Sequence, residues 1–247
     1  MINPFRNEDI MLKQNTFLKE IKIHESWGLF LNNESIINLL ACIEKSIIGE
    51  FTPSKDLALR FLELNLNNIK MIILGQDPYP QAGAATGRAF EVGGLNDWCD
   101  NFKQSSLRNI LKNIYASYNL CGSTSLNEIR KKITDGSFKL PPPDKIFDYW
   151  ESQGVLCLNT AFTCVIDNPG SHTDIWQPFS DKLIEFIAWN NKNIIWFLWG
   201  KEAQKKEVLS SGAKTYKCNH PMLAGKREQG FLNCRCFIET KNIIDWI

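Results

Sequence analysis

The sequence predicts an α/β fold, a single domain with a central four-stranded parallel sheet and helices on both faces. Four short, continuous apolar runs end in turn-forming or small polar residues, as strands buried on both faces do. Segments with helical periodicity lie between these runs. An alternation of strand and helix is typical of a parallel sheet covered by helices. The 247 residues suffice for one such domain with a sizeable core.

The predicted elements follow one another in a regular order. Strands are expected at residues 70–74, 155–158, 193–198 and 214–218, and helices at 107–119, 143–153, 178–190 and 201–210. Helical patterns at 34–45 and 56–66 precede them, and we expect residues 1–50 to form a helical N-terminal extension packed on the domain. No internal repeat or low-complexity linker divides the chain, so we expect one domain over residues 1–247.

The composition excludes several classes of protein. Hydrophobic residues make up 44% and charged residues 22% of the chain, as in ordinary globular proteins. The longest apolar runs are far shorter than the roughly 20 residues that span a bilayer, so we expect no membrane segment. The chain does not start with basic residues followed by an apolar block. We therefore expect no secretory signal and a cytoplasmic location.

The cysteines and the charge distribution add two observations. The eight cysteines form no CxxC pair, which favours reduced thiols. Cys218, His220, Cys234 and Cys236 have metal-capable side chains, but their spacing matches none of the usual zinc sites, so we expect no metal. Residues 201–241 carry nine Lys or Arg and four Glu. Positive charge is thus concentrated in the last fifth of the chain, either as a solvated face or as a contact for an anionic partner.

Polar and aromatic residues follow each predicted strand. The carboxyl ends of parallel strands meet at one edge of the sheet, where ligands of α/β proteins bind. We therefore expect a site at this edge, formed by Asp77, Tyr79, Asn159, Lys201 and His220.

The residue types at this edge suggest chemistry. Asp77 precedes Pro78 and taken alone would merely cap a turn, but with His220 nearby it suits water activation or charge stabilisation. Asn159 is either a turn residue or an amide that pairs with the edge of a nucleobase. Phe90 is either core or a platform for a planar ligand, and Arg88 is expected at the surface or at a phosphate.

Four motifs in order resemble the family 1 uracil-DNA glycosylases over about residues 50 to 240. These motifs are Gly75-Gln-Asp-Pro-Tyr79, Gly154-Val-Leu-Cys-Leu-Asn-Thr160, Leu198-Trp-Gly-Lys-Glu-Ala-Gln-Lys-Lys206, and His220-Pro221 followed by Gly230-Phe-Leu-Asn-Cys234. The resemblance implies a monofunctional DNA glycosylase that removes uracil from a flipped-out nucleotide and leaves an abasic site. It requires no cofactor or metal. DNA is the implied partner, with a glycosylase-inhibitor protein as a possible second one, and we expect a monomer.

The resemblance also implies a role for each matching residue. Asp77 would stabilise the oxocarbenium-like sugar and orient the attacking water. His220, in its neutral form, would donate to O2 of the departing uracil. The base-binding residues would be Gln76 through its backbone, Tyr79 against C5, Phe90 by stacking and Asn159 by paired hydrogen bonds.

The chain departs from the family pattern where the family grips DNA. Pro80 replaces a His, residues 101–108 contain no proline, and Gly200-Lys201 replaces Gly-Ser. The loop that begins at His220 is shifted by one residue, so that Met222 or Leu223 would be the wedge that fills the vacated stack. The implied DNA contacts are Ser106, Gly200, Lys201, Met222, Leu223, Lys226 and Arg227. The cations among them predict a steep salt dependence.

Two alternatives to uracil excision remain open at this point. A glycosylase with the same scaffold could excise a modified pyrimidine, although Tyr79 would collide with a bulky C5 substituent. A DNA-binding replication accessory protein could use the fold as a clamp, although a clamp needs neither Asp77 nor His220. An unrelated α/β hydrolase is set aside because the sequence lacks a Gly-x-Ser-x-Gly elbow.

Overall fold

A computed structural model describes residues 15–120, 122, 124–210, 212–223 and 230–247. Its strands are β1 (Phe51–Thr52), β2 (Met71–Gly75), β3 (Val155–Asn159), β4 (Cys164–Val165), β5 (Ile195–Trp199) and β6 (Thr215–Cys218). Its α-helices are α1 (Gly28–Leu31), α2 (Glu34–Ser46), α3 (Lys55–Ala58), α4 (Ser105–Asn119), α5 (Leu126–Thr134), α6 (Pro143–Ser152), α7 (Thr173–Asn190), α8 (Lys201–Lys205) and α9 (Cys236–Thr240). Short 3-10 helices occupy Glu25–Trp27, Arg60–Glu63, Leu66–Asn68, Lys206–Ser210 and Phe231–Asn233.

The central sheet has four parallel strands in the order β3-β2-β5-β6. This confirms the predicted fold class, and the four strands coincide with the four predicted ones to within two residues at each end. The strands β1 and β4 form a separate two-stranded antiparallel sheet. Parallel pairing brings all four carboxyl ends of the central sheet to one edge, and there Gly75 lies opposite Asn159 in the register.

Successive residues of the sheet point into two different cores. Toward one face lie Ile72, Leu74, Leu156, Leu158, Trp196 and Leu198. Toward the other face lie Met71, Ile73, Val155, Cys157, Ile195, Phe197, Trp199 and Cys218. Helix α7 packs on the first face and helices α4 and α6 on the second. Both faces are therefore covered, which is why these strands are continuous apolar runs rather than alternating ones.

The described part of the N-terminal region packs into the first core. Phe17, Trp27, Phe30 and Leu40 are each at most 3% exposed and belong to the same cluster as the sheet residue Ile72. Helix α2 starts where the Asn33 side chain accepts the backbone N–H of Ser35, a normal N-cap. In the described part of the chain, no helix combines the length and the apolar character that a bilayer crossing needs.

Three predicted helices differ from the observed ones. Helix α7 was predicted to start at Pro178, but it begins five residues earlier, at Thr173, and Pro178 lies inside it. Proline usually marks a first turn, but Pro178 is exposed, so water can reach the carbonyl that loses its donor. Residues 201–210 change from α-helix to 3-10 helix after Lys205, and residues 56–66 break into short turns. Helix α5, which sequence analysis did not identify, begins with a capping box between Ser125 and Glu128.

Candidate active site

The first and second strand ends of the predicted site lie side by side. The backbone N–H of Ala161 donates to the carbonyl of Gln76 at 2.8 Å, and that of Thr160 donates to the carbonyl of Gly75 at 3.1 Å. A Cβ atom at Gly75 would lie 2.3 Å from Oδ1 of Asn159, far closer than two such atoms approach. Glycine is therefore required here because the Asn159 side chain lies against the turn that leads to Asp77.

Asp77 is held from the opposite side by the segment before helix α7. Its Oδ2 accepts the backbone N–H of Gly170 at 2.7 Å. Partial burial raises the pKa of the Asp77 carboxyl above its ordinary 3.8, and the hydrogen bond from Gly170 opposes this rise. The carboxylate also lies close to the positive end of an 18-residue helix. Sequence analysis did not find Gly170, because it lies 93 residues from Asp77 in an unremarkable loop.

His220 lies two residues beyond the end of β6. Its Nδ1 accepts the backbone N–H of Met222 at 3.2 Å, so in the neutral ring the proton is on Nε2. Burial lowers the pKa of His220 below its ordinary 6.5, which favours the neutral form. The site therefore contains a neutral imidazole that can donate one hydrogen bond from Nε2.

Two neighbouring segments set the position of His220. Gly200 has φ +89°, and a Cβ atom there would lie 2.9 Å from Cβ of His220. The side chain of Asn109, a buried residue of helix α4, donates to the carbonyl of Pro221 at 2.8 Å. The glycine before α8 thus leaves room for the histidine, and the asparagine of α4 anchors the loop that follows it.

The aromatic residues expected in the base pocket contact one another. The ring centroid of Phe90 lies 5.4 Å from that of Trp199 and 6.1 Å from that of His220. The hydroxyl of Tyr79 donates a long hydrogen bond of 3.4 Å to the carbonyl of Phe90. Burial raises the pKa of the Tyr79 phenol, which keeps it neutral. Asn159 reaches the same group, because both its Oδ1 and Cβ of Ala89 lie against Gly75.

A cleft of about 820 Å³ opens outward from Tyr79. Pro80, Ser106 and Met222 line it as well, so two of the residues expected to contact DNA lie in this cleft. Met222 and Leu223 are 60% and 58% exposed, which is unusual for large apolar side chains. Lys201 is exposed at the start of α8. Lys226 and Arg227 lie outside the described residues.

Arg88 differs from its expectation as a surface residue or phosphate ligand. It is 7% exposed and forms ion pairs with Glu91, Asp148 and Glu151. Burial alone would lower the pKa of Arg88, but the three carboxylates raise it, so the side chain is charged. Four of its five N–H donors bond to these carboxylates and the side chain is buried, so it is not placed to bind a phosphate. Asp148 and Glu151 lie some 60 residues from Arg88 in the sequence, so sequence analysis could not find them.

Within the described residues, no group of three His, Cys, Asp or Glu side chains is arranged to hold a metal ion. The site itself presents carboxylate, imidazole, amide and aromatic groups. A carboxylate can stabilise positive charge or orient water, and a neutral imidazole can stabilise a developing anion. The aromatic rings and the amide suit a planar, polar ligand.

Comparisons with known proteins give matches over most of the chain. A family model described as the uracil DNA glycosylase superfamily matches residues 61–242. A uracil-DNA glycosylase of Francisella tularensis subsp. novicida is 33% identical over 215 residues, which cover 85% of this chain and 86% of that protein. The strain LVS of subsp. holarctica has a uracil-DNA glycosylase that is 34% identical over the same length and coverage.

Solved structures share the fold at lower sequence identity. The UNG of Nitratifractor salsuginis has a TM-score of 0.68 at 20% identity and covers 99% of both chains. A mimivirus UNG variant solved in complex with UGI has a TM-score of 0.62 at 24% identity, covering 82% of this chain and 71% of that one. At these identities the similarity concerns the fold alone.

Proposed function

This chain belongs to the uracil DNA glycosylase superfamily, and we propose that the residues at its strand ends carry out the reaction of that family. The protein excises uracil from DNA in base excision repair by hydrolysing the N-glycosidic bond of deoxyuridine, which leaves an abasic site. The observation that supports the residue assignment is the arrangement of a fixed carboxylate and a neutral imidazole at one sheet edge.

Asp77 stabilises the sugar as the bond to the base breaks. The transition state of glycoside cleavage carries positive charge on the sugar, and a fixed carboxylate stabilises that charge without reorganising. The bond from Gly170 holds one carboxylate oxygen at 2.7 Å, so the other oxygen can orient the attacking water. Pro80 stands where the family has a histidine, so no imidazole at this position helps to orient the water, and Asp77 orients it alone.

His220 stabilises the departing uracil as an anion. The bond from Met222 to Nδ1 leaves the ring proton on Nε2, which donates to O2 of the base. A neutral donor stabilises the anion without a proton transfer, so the pKa of His220 need not match that of uracil. The lowered pKa of His220 supports this role.

Four residues bind the base and exclude others. Asn159 pairs with the polar edge of uracil, and Phe90 stacks on its ring. Tyr79 presses against C5, where thymine carries a methyl group, and its hydrogen bond to the Phe90 carbonyl joins the two walls of the pocket. Gln76 lines the pocket through its backbone N–H, because its carbonyl already accepts from Ala161 and from the Thr160 hydroxyl at 3.0 Å.

The DNA contacts surround this pocket. Ser106 and Met222 line the cleft next to Tyr79, and Lys201 is exposed at the start of α8. Gly200, also expected to contact DNA, is buried instead, and its backbone N–H donates to the carbonyl of Cys218 at 2.9 Å. Flipping a nucleotide costs a few kcal/mol, which an apolar side chain can partly offset by filling the gap in the base stack. Met222 and Leu223 are exposed, adjacent and apolar, so either side chain can fill this gap. Lys226 and Arg227 would add phosphate contacts.

Two further assignments rest on relatives. A mimivirus relative is solved in complex with UGI, which supports a glycosylase-inhibitor protein as a partner of this chain as well. The Francisella relatives come from bacteria, whose DNA lies in the cytoplasm, so we propose that location here.

A panel of oligonucleotides tests the base preference. Each carries one uracil, thymine or modified cytosine, single-stranded or double-stranded, and alkali then cuts the abasic sites. The wild type should cleave at uracil only, whereas Tyr79→Ala should also cleave at thymine because the wall against the methyl group is gone. Cleavage at a modified pyrimidine but not at uracil, or tight binding without cleavage, would contradict the function.

A further inference from the structure

An ionic cluster centred on the buried Arg88 lies next to Phe90 along the chain. Nε of Arg88 donates to Oε1 of Glu151 at 2.7 Å, Nη2 to Oδ1 of Asp148 at 2.7 Å, and Nη1 to Oε1 of Glu91 at 3.1 Å. Arg88 and Glu91 are each 7% exposed, and Asp148 and Glu151 belong to helix α6. The two residues that flank Ala89 and Phe90 are therefore bonded to each other, and Arg88 is also bonded to the helix behind them.

Phe90 needs such support because of its backbone. Its φ is +69°, in the left-handed region that side chains other than those of Gly, Asn and Asp rarely adopt. A residue keeps this conformation only where its surroundings determine it. The Ala89 N–H donates to the carbonyl of Cys157 at 3.1 Å, which ties the same segment to strand β3.

The geometry points to Arg88 as a positioning residue that holds Phe90 in the left-handed conformation and so aims its ring at the flipped-out uracil. This inference rests on the proposed stacking role of Phe90. Arg88 itself touches neither base nor phosphate, because it is buried and four of its five N–H donors bond to carboxylates. One planar guanidinium reaches three carboxylates at once, which the single ammonium group of lysine cannot do in the same geometry. An Arg88→Lys substitution therefore keeps the positive charge but loses the planar set of N–H donors that binds the three carboxylates.

A double-mutant cycle tests this role. Stacking on an aromatic ring contributes enough that Phe90→Ala should lower kcat/KM on deoxyuridine DNA by roughly tenfold or more. Arg88→Lys should lower it by about fivefold in the wild-type background and by less than about twofold when Phe90 is already alanine, because its effect passes through the ring. The affinity for DNA with a tetrahydrofuran abasic site should stay the same, since that DNA offers no base to stack.

Control variants separate positioning from general destabilisation. Leu40→Ala removes a core side chain of helix α2 on the opposite face of the sheet, so it should lower the melting temperature while leaving kcat/KM unchanged. If Arg88→Lys does not fold, Glu151→Gln, which weakens the same fork from the side of the helix, is measured in the same cycle.

Three results are distinguishable. The positioning role alone would be overturned if Arg88→Lys lowered kcat/KM equally with Phe90 and with alanine at that position. It would also be overturned if Arg88→Lys lowered the affinity for abasic DNA by as much as it lowers kcat/KM. No effect of Phe90→Ala would instead contradict the stacking role on which it rests. If Arg88→Lys lowers kcat/KM only in the protein that retains Phe90, and the affinity for abasic DNA is unchanged, Arg88 is the residue that positions the ring.

Discussion

Asp77 and His220 are both partly buried, and burial shifts the pKa of each toward its neutral form. For a carboxyl the shift is upward and for an imidazole it is downward. The proposed mechanism requires an ionised Asp77 and a neutral His220. Activity should therefore be present above both pKa values and be lost as the pH falls through the higher of them.

This gives a prediction for the pH profile of kcat/KM. The acid limb should lie above pH 3.8, because burial raises the pKa of the Asp77 carboxyl above that ordinary value. His220 should add no inflection above pH 6.5, because its pKa is lowered. Single-turnover rates on a deoxyuridine duplex from pH 4 to 9 measure this. An acid limb that persists unchanged both in Asp77→Asn and in His220→Gln would contradict the account.

Residue types and order predicted most of the candidate site. Asp77, Tyr79 and His220 follow strands and Asn159 is the last residue of one, so the strand pattern was sufficient to group them. Arg88 was predicted wrongly, because its burial depends on Asp148 and Glu151, which only the tertiary fold brings near. Gly170 was missed for the same reason. Contacts between distant segments through a backbone N–H leave no pattern in the sequence.

At the scale of elements, strands were predicted better than helices. The four strands are buried on both faces, so their apolar runs have sharp ends. Helix boundaries depend on caps and on whether water reaches a free carbonyl. Pro178 in α7 and the change to a 3-10 helix after Lys205 both depend on such local conditions. Helix α5 spans only nine residues, of which Ile129 alone is buried, so its apolar stripe is short.

The turn between β5 and α8 carries a prediction of its own. Gly200→Ala adds a Cβ atom 2.9 Å from that of His220 at a residue with φ +89°, so His220 must shift. We expect kcat to fall about tenfold to a hundredfold, since misplacing a catalytic group by about 1 Å has effects of this size. Single-turnover kinetics on a deoxyuridine duplex measure it.

Gly136→Ala is the matched control for this change. Gly136 has a similar φ of +76°, but a Cβ atom there meets nothing within 4 Å. Gly136→Ala should lose about 1 kcal/mol of folding free energy from its positive φ. Gly200→Ala should lose more, because φ +89° with ψ 165° is a conformation that essentially only glycine adopts. Only Gly200→Ala should lose activity. Equal kcat values for the two variants would show that Gly200 is not needed to position His220.

For the whole molecule, the charge distribution predicts how DNA binding responds to salt. The net charge is +1, but the last fifth of the chain is basic and includes the start of α8. If Lys201 contacts a phosphate, Lys201→Ser should reduce the slope of log K against log salt by about 0.9. Lys192→Ser is the control, because Lys192 is exposed near the opposite end of β5. Equal slopes for both variants would exclude the contact.

We expect Asp77 to perform the chemistry in a site that otherwise binds a flipped-out uracil. The most direct test of this expectation is the single-turnover rate of glycosidic cleavage by wild type and by Asp77→Asn on one deoxyuridine duplex, with the DNA affinity of both measured alongside. We predict a rate reduced by at least about a hundredfold with the affinity retained, because an amide of the same shape cannot stabilise the positive sugar. A variant that cleaves at the wild-type rate would contradict the account.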